Sequence, residues 1–74
     1  MQMRNVTSSN IRAIGYDAGS QTLAVQFASG LYHYSGVPAE IDHALQAAEA
    51  AGESLGRFVA VRIRNRFPST KASA

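Results

Sequence analysis

Residues 22–27 alternate strictly, with Leu23, Val25 and Phe27 on one side and Ala24 and Gln26 on the other. A period of two is the mark of a half-buried strand. Upstream, residues 10–16 (NIRAIGY) carry β-branched and aromatic side chains and stop at Asp17-Ala18-Gly19-Ser20, a cluster of turn formers. Downstream, Ser29-Gly30 offers a tight turn into Leu31-Tyr32-His33-Tyr34, so the second and third runs read as a hairpin. Three sequential strands predict an antiparallel meander.

After Val37 the period changes. Ile41, Ala44, Leu45 and Ala48 recur at helical spacing, and the alanines favour helix intrinsically. Pro38 suits the first helical position, where its missing N–H would have had no partner. Glu40 and Asp42 fall in the first turn, where the helix dipole favours acids, and Gly52 is a natural stop. A second helix is predicted from Leu55 to Phe67, ended by Pro68, with Leu55, Val59, Ile63 and Phe67 as its apolar stripe. The sheet and both helices each have one apolar face. The expected fold is therefore α+β, a three-stranded antiparallel β-meander followed by two α-helices packed on one face of the sheet. The domain is expected over residues 9–68, with 1–8 and 69–74 as flexible tails.

At 74 residues the chain makes one small domain, and domains of this size bury only about 60% of the surface exposed by their unfolded chains. It has no cysteine and two widely separated histidines, so neither a disulfide nor a closed metal cage is expected, and no cofactor is implied. A short chain without such a staple often leans on a partner, which makes a homodimer or a protein partner one expectation. The first residues, MQMRNVTSS, lack a signal-peptide core, and no run approaches the roughly 18 apolar residues of a membrane span. A cytoplasmic protein is expected.

Charge is lopsided although its net value is only +2. Residues 36–53 hold Glu40, Asp42, Glu49 and Glu53 without a base, and residues 54–74 hold Arg57, Arg62, Arg64, Arg66 and Lys71 without an acid. Such asymmetry points either to an acidic partner such as nucleic acid or to two helices pairing their charges. On an ideal helix, at 100° per residue, Arg57 and Arg64 project together and Arg62 and Arg66 project almost oppositely. Arg62 and Arg66 then flank the apolar seam, where their stems cover hydrophobic surface and their heads reach solvent or an acid of the first helix. Arg57 and Arg64, with Lys71, are the candidates for phosphate.

Tyr32 and Tyr34 are the remaining candidates, and their role depends on register. A two-residue turn at Ser29-Gly30 pairs Ala28 with Leu31, Phe27 with Tyr32 and Val25 with Tyr34, placing both rings on the Leu23, Val25, Phe27 side at the core edge. A three-residue turn moves them to the face of Ala24 and Gln26, open to solvent and able to stack bases. Nothing comparable supports catalysis. His33 faces away from the tyrosines and His43 lies roughly opposite Ile41 on the first helix, and neither is accompanied by a nucleophile and an orienting acid. The glycines are scattered singly and form no phosphate-cradling loop.

The order Ser8-Ser9-Asn10-Ile11, Ile14-Gly15-Tyr16-Asp17, Leu23-x-Val25-x-Phe27, Ser29-Gly30, Tyr32-x-Tyr34, Gly36-Val37-Pro38, Ser54-x-Gly56-Arg57-Phe58 and Ile63-Arg64-x-x-Phe67-Pro68 resembles the KTSC domain. That family is named for a C-terminal extension of some lysyl-tRNA synthetases and also occurs as small free-standing bacterial proteins. Its central mark is a Tyr-x-Tyr, here Tyr32-His33-Tyr34. The chain departs from the family pattern in three ways. Ala60 stands where Asn is common, the first helix is about one turn longer, and Phe27 and Tyr32 are one residue closer together. The role of the family is unestablished, with RNA binding suggested by the company it keeps. The sequence thus leads to a non-enzymatic binding domain that takes nucleic acid through its basic C-terminal helix, or alternatively a protein-interaction or homodimerising module.

Overall fold

The computed structural model describes residues 2–8 and 10–72. Its elements are β1 (Met3–Asn5), β2 (Ile11–Asp17), β3 (Thr22–Phe27), β4 (Gly30–Tyr34), α1 (Ala39–Ala50), α2 (Leu55–Arg62) and β5 (Ser69–Lys71). The fold is α+β with two helices, but the antiparallel sheet has five strands, in the order β1-β2-β3-β4-β5, and not the expected three. The helices fall in the chain between β4 and β5, so the order is not simply strands then helices. Both additional strands come from segments read as tails, 1–8 and 69–74, and lie outside the expected domain limits of 9–68. Each is three residues long, MRN and STK, with mostly or wholly exposed side chains. A strand this short and polar carries no hydrophobic period by which to find it. Short, polar edges also protect a sheet from pairing with another chain.

Register sorts the side chains. One row crosses all five strands as Arg4, Ile14, Val25, Tyr32 and Lys71, and beside it runs Tyr16, Leu23, Tyr34 and Ser69. This is the face the helices cover: Ile14, Leu23 and Val25 pack in one cluster with Leu45 of α1 and Leu55, Val59 and Ile63 from α2 and its end, each at most 2% exposed. Arg4 lies on the same face and its Nη1 donates to Glu49 Oε1 of α1. The opposite face carries Met3, Gly15, Ala24, His33 and Thr70. In β2, Ile11 pairs with Phe27 but Ala13 with Gln26, so Arg12 is an extra residue. That bulge returns Ile11 to the core side, where it is 1% exposed; an unbroken strand would have put it with Ala13.

The β3–β4 turn matches neither of the two expected registers, but it gives the tyrosines the face of the two-residue turn. Phe27 pairs with Gly30, Val25 with Tyr32 and Leu23 with Tyr34, so Ala28-Ser29 form the turn and Gly30 follows it with φ +151°. The positive φ falls on the residue after the turn, and glycine alone accepts it readily. The pairing is displaced by two positions from that expected for a Ser29-Gly30 turn. Side chains alternate with period two, so this displacement leaves both tyrosines on the core side.

Helix α1 begins one residue later than expected, with Pro38 as an extended N-cap (φ −71°, ψ 156°). It ends in a Schellman arrangement: Glu53 N–H donates to Ala48 O at 2.9 Å and Gly52 N–H to Glu49 O at 3.1 Å, with Gly52 at φ +76°. Helix α2 is capped by Ser54, whose side chain accepts from Arg57 N–H at 3.3 Å. It stops at Arg62, short of the expected Phe67. Proline disfavours the helical conformation in the residue before it, so the chain must leave the helix ahead of Phe67-Pro68. It does so at Ile63: the N–H groups of Ile63 and Arg64 both donate to Val59 O, at 3.0 and 2.8 Å, and those of Arg66 and Phe67 to Ile63 O, each at 3.1 Å. Ser35 N–H then donates to Pro68 O at 3.0 Å and leads the chain into β5 beside β4.

Candidate functional site

Along β4, the β3–β4 turn at its start meets the segment that follows α2 and leads into β5. They enclose a cleft of about 510 Å³ lined by Asn10, Tyr32, Tyr34, Arg64, Asn65 and Ser69, with Phe27, Ala28 and Ser29 along the turn side. No acid lines it.

The sheet register places Tyr34 at the base. The residue is 3% exposed and its ring belongs to the core cluster. Its hydroxyl makes no hydrogen bond to a described residue, yet is not among the fully enclosed polar atoms, so it opens on the cleft. Burial pushes its ionisation above the usual phenol range, Arg64 nearby acts against that rise, and Tyr32 adds to it. Tyr34 is thus a neutral donor at physiological pH. Tyr32, one residue pair outward, is half-buried. Its ring meets Phe27 edge-on, with centroids 5.6 Å apart and planes at 77°, and Lys71 Nζ lies 5.9 Å from its centroid. Lys71 owes that position to β5, where it pairs directly with Tyr32.

Of the five residues expected to bind, four converge. Tyr32, Tyr34 and Arg64 line the cleft and Lys71 stands over Tyr32. Arg57 does not line it. It is exposed in the first turn of α2, and Arg64 does not share its helix face because the helix has ended. The tyrosines are neither wholly core nor an open stacking face: Tyr34 is buried except at its hydroxyl, and Tyr32 is a partly covered rim. Arg62 stacks on Phe58, its guanidinium carbon 5.4 Å from the ring centroid. The expected pairing of Arg62 or Arg66 with α1 acids is not found; among the described residues the ion pair is Arg4–Glu49, which joins β1 to α1. The basic side of the chain is therefore not neutralised by the acidic helix.

Sequence reasoning missed Asn10, Asn65 and Ser69. Asn10 packs so closely on α2 that a Cβ on Gly56 would lie 2.8 Å from its Oδ1. No local pattern marks a contact between residues so far apart. His33 lies on the open face between Ala24 and Thr70, and His43 is exposed on α1. Among the described residues no group of acids and histidines could hold a metal ion, and no helix is long and apolar enough to cross a membrane. A smaller cleft of about 390 Å³ near Arg4 contains Tyr16, whose hydroxyl donates to Val37 O at 2.6 Å, and buried Asp42, which accepts from Gln46 Nε2 at 2.7 Å.

Comparison with known proteins places this architecture. A family model described as the KTSC domain matches residues 7–67. A protein of Tsukamurella paurometabola is 46% identical over 66 residues, which cover 88% of this chain and 92% of that one. An uncharacterized protein of Stutzerimonas stutzeri is 48% identical over 46 residues, 61% of this chain and 65% of the other, so the match spans less than two thirds of that relative. The crystal structure of a KTSC domain protein from Yersinia pestis superposes with a TM-score of 0.85 at 37% identity, covering 95% of this chain and 94% of the other. On the family match and on the shared fold alike, the chain belongs to the KTSC domain family.

Proposed function

We propose that this chain is a non-enzymatic, cytoplasmic RNA-binding domain that engages single-stranded RNA at the Tyr34 cleft. The observation that carries the reading is a concavity lined by Arg64 and two tyrosines and, among the described residues, by no acid, with Lys71 standing over the ring of Tyr32. Cations without a carboxylate partner among the described residues keep their attraction for phosphate, and a lining without described acids favours an anion. The volume, about 510 Å³, lies within the range of about 300–1,000 Å³ typical of small-ligand sites. It suits one or two unpaired nucleotides and not a duplex. The basic surface used is the segment after α2 together with β5, not the α2 face itself.

A salt titration of binding to an unstructured RNA tests this. Two phosphate contacts to a single strand give a slope of log K against log salt of about −1.4. A flat dependence, or no binding at low salt, sinks the proposal. Native mass in the same buffers addresses the rival reading: a dimer that ignores RNA would favour a self-association module.

A further inference from the structure

Resting on that reading, we propose that the cleft is a seat for a terminal phosphomonoester, the phosphorylated end of a single-stranded RNA, with the Tyr34 hydroxyl as its floor donor and Arg64 and Lys71 as its two cations.

Tyr34 is the observation that points to a ligand. It is 97% buried by its 3% exposure, and its hydroxyl has no hydrogen-bond partner among the described residues while opening on the cleft. A donor so placed takes its acceptor from whatever occupies the cleft, water or a ligand, and is free to bond an incoming anion. The acceptor suited to this cleft is anionic, because Arg64 lines the same space and Lys71 stands over the ring of Tyr32, itself a lining residue. Charge selects the kind of phosphate. A bridging phosphodiester carries one negative charge, whereas a terminal phosphomonoester carries about −1.5 to −2 near neutral pH, matching two cations. Asn65 and Ser69 add neutral polar groups on the same wall. Geometry argues the same way for Tyr32. Its ring is engaged by Phe27 from β3 and by Lys71 from β5, so it is poorly placed as an open stacking platform. Its contribution is to hold Lys71 at the rim, while a terminal nucleoside rests against the turn-side wall of Phe27.

The test uses one unstructured RNA in three forms, with a 5′-phosphate, with a 3′-phosphate and with hydroxyls at both ends. Inorganic phosphate and a nucleoside monophosphate serve as competitors. At least one phosphorylated form is expected to bind about tenfold or more tightly than the hydroxyl form, as for a charged hydrogen-bond acceptor gained in a partly buried site. Tyr34→Phe should abolish that preference while leaving thermal stability nearly unchanged, and Arg57→Gln, outside the cleft, should retain the preference in full. Equal affinity for all three forms would overturn the phosphomonoester assignment and leave RNA binding standing. Absence of binding to any form would overturn both. If the nucleoside monophosphate competed no better than inorganic phosphate, the seat would be a bare anion site and the assignment to an RNA end would fail.

Discussion

Replacing Arg64 with Gln separates binding from folding, because the side chain is exposed and has no ion-pair partner among the described residues. A change of this kind alters stability by no more than about 0.5 kcal/mol. If Arg64 supplies one of two phosphate contacts, the single-strand salt slope should fall from about −1.4 to about −0.7. Between 50 and 200 mM salt the parent chain then loses about sevenfold in affinity and the variant about 2.6-fold. Fluorescence anisotropy with a labelled RNA across that range reads both slopes, and Arg57→Gln is the control that should leave the slope where it was. An independent signature comes from Tyr34, whose ionisation Arg64 holds down against burial. Removing the cation should move the phenolate absorbance of Tyr34 to higher pH. An unchanged slope in Arg64→Gln, or an equal drop in Arg57→Gln, would refute the assignment of the cleft.

Three further outcomes follow from the packing and hydrogen bonds. Tyr34→Phe should be nearly neutral in a thermal melt, since its hydroxyl bonds to no described residue, whereas Tyr16→Phe removes the 2.6 Å bond to Val37 O and should cost about 1 kcal/mol; equal costs would contradict this contrast. Gly52→Ala places a side chain at φ +76° and should cost about 1–2 kcal/mol in urea unfolding with an unchanged m-value, even though the site has open space around it. Burial raises the ionisation of Tyr34 and Tyr16 above their unfolded value near 10. Their contribution to stability is thus complete below that pH and declines as pH rises through the folded values. Tyr34→Phe should make the alkaline fall of the melting temperature shallower, and a fall identical to the parent's would count against the burial argument.

The sequence reading was best where one signal repeated. Alternation of Leu23, Val25 and Phe27 marked β3 to the residue, Thr22–Phe27, and the spacing of Ile41, Leu45 and Ala48 marked α1. Of the two hairpin registers it offered, the two-residue turn put both tyrosines on the core side although at the wrong residues, because a two-position slip preserves parity. What it missed depends on tertiary context. β1 and β5 are held by pairing with β2 and β4, not by apolar periodicity of their own. The bulge at Arg12 is needed because Ile11 and Ile14 are three positions apart and both reach the core. Among the site residues, the four that converge were named individually, but their meeting required β5, which the sequence did not disclose.

The early end of α2 links the fold to the site. On a helix continued to Phe67, Arg64 would project with Arg57, and the basic residues would decorate a solvated surface. Pro68 prevents that continuation, and the unwound segment from Ile63 to Phe67 turns Arg64 toward the base of β4, where Tyr34 lies. The same exit feeds Ser69 and Lys71 into a strand opposite Tyr34 and Tyr32. One backbone event therefore delivers both cations to both tyrosines. The Ile63-Arg64-x-x-Phe67-Pro68 run and the Tyr-x-Tyr pair are in this sense two halves of one device: the first terminates a helix so that its charges reach the second. That coupling explains why a helical-wheel argument grouped Arg64 with Arg57, which stays on α2 away from the cleft.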